Sequence, residues 1–357
     1  MIISKKEYLM PATEHEAHEN VEIEAKSKPV AGVTVLILGT MALLLCIGLS
    51  ISFGAADIDL LTVWSAVFSF SGEVTAHQII QEIRLPRVLG AAIIGACFAV
   101  AGAIMQGMTR NPLADSGLLG LNAGAAFMVA VSLAFFPGLS YKYLMLFAFV
   151  GAAIGTVLVF GIGSMSRAGL TPMRLVLAGA AVSALLSSLS QSIALHFDLA
   201  QDLAFWFAGD VSGTTWDNLK LMLPWVVISF IGALFLSRSI TLLSLGDEVA
   251  IGLGKRPGLI KLAGSLLVLI LAGIAVSVVG AVSFVGLMIP HITRFLVGHD
   301  YRWIIPNSIV IGSLFMVLAD LCARMVNPPN ETPIGALIAL IGVPFFLYLA
   351  RKGGRGF

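Results

Sequence analysis

Residues 84–120 read RLPRVLGAAIIGACFAVAGAIMQGMTRNPLADSGLLG, and three features of this stretch decide the fold class. Arg84 and Arg87 sit on either side of Pro86 at its start. From 88 to 107 there is no charged side chain, and many residues are small. A Pro/Gly loop, Asn111-Pro112-Leu113-Ala114-Asp115-Ser116-Gly117, then closes the run. About 20 apolar residues at 1.5 Å of rise each match the ~30 Å hydrocarbon core of a bilayer. The stretch therefore reads as a charged mouth, a membrane-crossing helix and a tight turn.

The whole chain carries the same signature. Of 357 residues, 58% are hydrophobic and 11% charged, and the mean hydropathy is +0.97. Soluble domains carry about 25% charged residues, so this composition could not cover a water-facing surface. The long apolar runs imply helices, because a membrane barrel shows ~10-residue segments that alternate apolar and polar. A net charge of +1 points to no nucleic-acid partner. Cys46, Cys97 and Cys322 all lie in apolar runs and read as small core residues rather than a disulfide framework. The six histidines show no metal-ligand spacing, and no metal site is expected.

Working outward, residues 1–29 form a polar, glutamate-rich tail expected to be flexible, 30–352 a transmembrane domain, and 353–357 a short end. Ten crossings are expected, at 30–53, 88–107, 117–136, 143–165, 175–195, 221–236, 262–281, 283–297, 304–323 and 333–350. Between the first two, LLTVWSAVFSF is too short to span and suits a helix lying at the interface. Residues 196–220, with four aspartates and two tryptophans, form a wet segment. The longest charged interruption is 238–261. Ten crossings place both termini on one side. Putting them in the cytoplasm leaves only Arg84, Arg87, Lys142, Lys220 and Arg324 of the 21 Lys and Arg outside, as the positive-inside rule requires. A weak internal repeat pairs Gly95, Gly102, Ala103, Pro112 and Gly120 with Gly273, Gly280, Ala281, Pro290 and Gly298 at a constant offset of 178. Five crossings separate the copies, which would invert them, as in many transporters.

Each motif has a plain reading beside a functional one. Gly95, Gly102, Gly273 and Gly280 are explained by close helix packing. Arg84, Arg87 and Arg324 either snorkel, with Arg324 bonded to Asp320 four residues earlier, or form a cationic rim for an acidic partner. The residues alone leave these two level. The segment Gly246-Asp247-Glu248-Val249-Ala250-Ile251-Gly252-Leu253-Gly254-Lys255 is either an ordinary loop or a short docking helix. It is no phosphate loop: Val249 stands where a glycine is needed, and Arg256 follows Lys255 instead of Ser or Thr. Asp320 is the one clear acid within a crossing, whereas an ion-driven carrier usually buries several. No catalytic constellation is visible.

At this point four segments resemble one family. They are the opening stretch, LGDEVAIGLG (245–254), SFVGLMIPHITRFLVG (283–298), and ETPIG (331–335) with GVPFF (342–346). Together they are similar to permease subunits of type II ABC importers, the FecCD-like iron-siderophore, haem and cobalamin class. The resemblance spans about 30–352 and leaves the tail outside. It implies an all-α polytopic bundle of about ten transmembrane helices in two five-helix inverted repeats, set in a bacterial cytoplasmic membrane. It implies a second permease subunit, a cytoplasmic ATPase dimer that holds ATP and Mg, and a substrate-binding lipoprotein or periplasmic protein. This chain itself would carry no cofactor and be no enzyme. Arg84, Arg87 and Arg324 match arginines that dock the binding protein. Gly246, Asp247, Glu248, Ala250, Gly252, Leu253 and Gly254 match the segment that couples to the ATPase. Leu170, Thr171 and Pro172 fall where the family places a cytoplasmic gate, although the local sequence departs from the small hydroxyl-bearing pair of cobalamin permeases. The expected cargo is a ferric-siderophore-type complex. Cobalamin or haem import, or an ion-gradient-driven carrier, are the alternatives.

Overall fold

In the computed structural model, residues 27–53, 59–164, 172–328 and 330–353 are described. The chain order is α1 (Pro29–Ser52), α2 (Leu60–Phe68), α3 (Thr75–Ile79), a π turn (Ile80–Arg84), α4 (Leu85–Thr109), a 3-10 turn (Ser116–Leu119), α5 (Leu121–Phe135), α6 (Tyr141–Ser164) and α7 (Pro172–His196). It continues with α8 (Ala200–Ala208), α9 (Trp216–Ser244), α10 (Asp247–Gly252), α11 (Pro257–Val279), α12 (Val285–Val297), α13 (Tyr301–Val326) and α14 (Ile334–Gly353). Among the described residues, seven helices are long and apolar enough to cross a membrane, and α5, α12 and α14 are shorter apolar helices. Every expected crossing coincides with one of these ten helices, and the protein is an all-α polytopic bundle.

Two boundaries differ from expectation. The second crossing does not begin at 88. The helix runs without a break from Thr75 through both arginines to Thr109, because each guanidinium finds acceptors inside the fold. The sixth crossing continues through Arg238 to Ser244, and α11 starts at Pro257. The charged interruption expected at 238–261 therefore shrinks to 245–256. Arginine is a good helix former, and its long stem lets the charge reach past a helix end.

α4 is the centre of the bundle. Its crossing window is 89% buried, against 6% for α1, which lies on the outside. α13, α11, α12 and α9 pack around α4, while α5, α6 and α7 form a second group that α11 joins to the first. The close approach comes from glycines. A methyl on Gly95 would meet the carbonyl of Gly312 in α13, and one on Gly102 the carbonyl of Gly286 in α12. The Gln106 amide donates to the Gly286 and Leu287 carbonyls at 3.1 and 3.2 Å, and its oxygen accepts from Arg294 at 2.5 Å. This fixes the 13-residue α12, which contains Pro290, against α4.

The element order divides into two sets of five crossing helices, α1, α4, α5, α6, α7 and α9, α11, α12, α13, α14. The third member of each is short, at 15 and 13 residues. The residue offset of 178 does not hold, however. Gly102 lies inside α4, whereas its counterpart Gly280 ends α11 with φ of 78°. Glycine-rich helices offer chance matches at several offsets, and the element pattern is the sounder marker of the repeat.

Candidate functional site

At one end of the bundle three guanidiniums gather on two carboxylates and the C-terminus of α1. Arg84 is buried and donates to the Ile51 and Ser52 carbonyls at 2.5 and 2.9 Å. Arg87, one helical turn on, donates from Nε to Asp320 Oδ1 at 2.9 Å and from Nη1 to Glu331 Oε1 at 2.6 Å. Arg324 Nη2 lies 3.1 Å from Asp320 Oδ2 and donates to the Ser50 hydroxyl and carbonyl at 2.5 and 3.1 Å. The last carbonyls of a helix lack intrahelical donors and carry the negative end of its dipole, so two arginines there satisfy both needs. Glu331, on the loop before α14, is 45% exposed, and the remaining pair members are below a tenth. The cluster holds three positive groups against two negative ones, so it stays net cationic.

At the opposite end, Gly246 turns the chain with φ of 136°, and the short helix α10 follows. Asp247 Oδ2 accepts from Lys261 Nζ at 2.7 Å, and Asp247 Oδ1 lies 3.4 Å from Arg110 Nη2. Ala250 is buried beneath the helix. Val249 and Ile251 in the helix and Leu253 just after it are 44%, 60% and 59% exposed, so this short segment presents apolar side chains outward. Glu248, Gly252 and Gly254 are exposed beside them.

Sequence reasoning missed the outward face of α7. The exposed faces of α1 and α9 are mostly apolar, including Leu38, Met41, Leu45, Ile228, Ile231 and Phe235. On α7 the exposed residues include Ser188, Gln191 and Ser192 beside the apolar Leu177, Leu185, Leu189 and Leu195. Ser188 and Ser192 donate to the carbonyls four residues earlier, a bond that lets serine sit in a crossing helix. A primary amide such as Gln191 has four hydrogen-bonding sites to satisfy, which lipid cannot do. The helical spacing of polar residues was available in the sequence, but the surrounding apolar run masked it.

Of the expected gate, Leu170 and Thr171 lie outside the described residues, and Pro172 begins α7. Among the glycines, a methyl on Gly273 would stand 3.1 Å from the Phe149 ring of α6, and one on Gly280 would strike the Trp206 carbonyl of α8. Beside α8 a cavity of about 340 Å³ opens among Tyr141, Asp202, Trp206 and Asp210. No group of His, Cys, Asp and Glu that could hold a metal ion occurs among the described residues.

The model of the FecCD transport family matches residues 42–352. The iron(3+)-hydroxamate import system permease protein FhuB of Bacillus subtilis (strain 168) is 52% identical over 360 aligned positions, covering 100% of this chain and 93% of the relative. The ferric enterobactin transport system permease protein FepD of Escherichia coli (strain K12) is 38% identical over 317 residues, covering 88% and 94%. A solved structure described as a metal-chelate type ABC transporter in an inward-facing conformation superposes with a TM-score of 0.79 at 28% identity, covering 90% of this chain and 99% of that one.

Proposed function

We propose, since this chain belongs to the FecCD transport family, that it is the membrane permease subunit of an ATP-binding-cassette importer for ferric siderophore complexes, with ferric hydroxamates the first cargo to test. Similarity along the full chain to a relative named for iron(3+)-hydroxamate import supports that order of testing. The observation that carries the transport reading is the outward face of α7, where a crossing helix shows Ser188, Gln191 and Ser192. Such a face suits a wet path shared with a second permease subunit, the same chain or a homologue. The termini and α10 lie in the cytoplasm, and the arginine cluster faces outside.

Two surfaces then serve partners. The cationic cluster of Arg84, Arg87 and Arg324 receives carboxylates of a substrate-binding protein, with Glu331 marking the edge from which Arg87 is reached. The apolar face of α10 seats in a cleft of a cytoplasmic ATPase, one of two that hold ATP and Mg. Closure of those ATPases shifts α10, and the paired permease subunits alternate between packings open to either side. Leu170, Thr171 and Pro172 form the cytoplasmic gate.

The test is uptake of radiolabelled ferric hydroxamate in cells that express the complete system, with cobalamin and haem as competing cargos. Uptake is expected to need this chain, the ATPase and the binding protein, and to survive collapse of the ion gradients while ATP is maintained. Uptake that persists with an inactive ATPase but stops when the gradients collapse would establish the secondary carrier instead.

A further inference from the structure

We infer that Asp247 is a fastener that ties α10 to two crossing helices at once, with Arg110 and Lys261 as positioning residues that transmit the movement of α10 into the bundle. The inference rests on the coupling role proposed for α10 and deepens it. Three observations converge on it. First, a single carboxylate at the first residue of α10 lies 2.7 Å from Lys261 of α11 and 3.4 Å from Arg110. Second, Arg110 is the residue on which α4 ends, and it takes a left-handed conformation with φ of 52°. A side chain other than glycine, Asn or Asp is rare there, so the backbone turn aims the guanidinium at the residue that begins α10. Third, α4 is the buried rod of the bundle, and its other end carries Arg84 and Arg87.

Mechanics follow from length and packing. The 23 steps from Arg87 to Arg110 cover about 35 Å of α-helix, a bilayer's thickness. Backbone-to-backbone contacts of Gly95 with α13 and of Gly102 with α12 clamp the middle of that length, and such close packing transmits strain along the helix. A displacement of α10 that pulls Asp247 therefore acts on α4 through Arg110 and on α11 through Lys261. In the reverse direction, a partner seated on Arg84 and Arg87 acts on the same rod. The exposed apolar face of α10 supplies grip on the ATPase, and the ion pairs on its first turn deliver the movement.

The experiment uses the full importer in proteoliposomes, with binding protein and ferric hydroxamate present, and reads cargo moved per ATP hydrolysed. Arg110→Met and Lys261→Met keep stem length and remove charge. Each is expected to leave the ATPase co-purifying with the chain and to lower cargo per ATP about threefold, the scale of a half-exposed ion pair. Arg110→Lys should restore most of the loss. Arg110→Met combined with Asp247→Asn should be no worse than Asp247→Asn alone, since coupled residues are not additive. Unchanged cargo per ATP in both Met variants, or fully additive losses, overturns the inference. Loss of the ATPase from purified Arg110→Met also overturns it, because the pair would then only hold α10 in shape. Ile251→Glu separates the two layers: if the ATPase still co-purifies and transport is normal, the coupling role of α10 itself fails.

Discussion

Asp320 holds two guanidiniums on one carboxylate, and its neighbours define what each arginine can do. Arg87 reaches Oδ1 with Nε and Nη2, both at 2.9 Å, and Arg324 approaches Oδ2 at 3.1 Å. Asp320 is 1% exposed, while Glu331, the other acceptor for Arg87, is 45% exposed. The two carboxylates therefore differ in consequence although they share a partner. Removing one member of a buried pair strands the rest, a cost of about 3–5 kcal/mol, whereas a solvent-exposed pair contributes about 0–1 kcal/mol. Asp320→Asn is accordingly expected to lower the melting temperature of the detergent-solubilised protein strongly, and Glu331→Gln to leave it nearly unchanged. Equal shifts from the two substitutions would show that burial does not govern this cluster. The arginines are thus structural members first. A partner docking at this end would meet a cluster already organised, and replacing Arg84 or Arg87 would disturb the end of α1 as well as any contact outside.

At the scale of elements, α7 separates what the sequence reveals from what it hides. Ten helices were legible because each lies on a long apolar run, seven of them of bilayer length, and α2 was legible as a run too short to span. Hidden were features that depend on a distant partner. The helix passes through Arg84 and Arg87 because Arg87 meets Asp320 and Glu331, 233 and 244 residues further along, and no local pattern reports that. The Arg110–Asp247 pair was hidden for the same reason. The polar face of α7 was hidden by averaging, since Ser188, Gln191 and Ser192 sit among leucines and alanines that keep the run apolar. The folded chain adds that all three are exposed, alongside Leu185, Leu189 and Leu195. Single cysteines should respond accordingly in a background lacking Cys46, Cys97 and Cys322. Gln191→Cys and Ser188→Cys are expected to react with a charged, water-borne thiol reagent in intact membranes. Phe235→Cys, on the apolar face of α9 and 84% exposed in the chain, is expected to stay unlabelled. Labelling of Phe235→Cys alone would remove α7 from the wet path.

At the scale of the molecule, the packing sharpens the orientation argument. The positive-inside count left five cations outside, and three of them, Arg84, Arg87 and Arg324, are now accounted for by carboxylates and by the end of α1. Only Lys142 and Lys220 remain as ordinary exceptions. The folded chain also links the ends that must share a side. The Lys28 amide donates to the Val297 carbonyl at 3.3 Å, so the start of α1 lies against the turn between α12 and α13. Arg110, at the end of α4, lies against α10. Alternation from a cytoplasmic start then places the turn between α5 and α6 outside and the end of α14 inside. Gly138 in that turn is a suitable probe site, because it has φ of 86° and nothing within 4 Å of where a side chain would begin. Alkaline phosphatase, which matures only outside the cytoplasm, is expected to be active when inserted at Gly138 and inactive when fused after Phe357. A fluorescent protein that matures in the cytoplasm should be bright after Phe357. The opposite pattern would turn the bundle over, put α10 on the exterior, and leave the arginine cluster facing the cytoplasm.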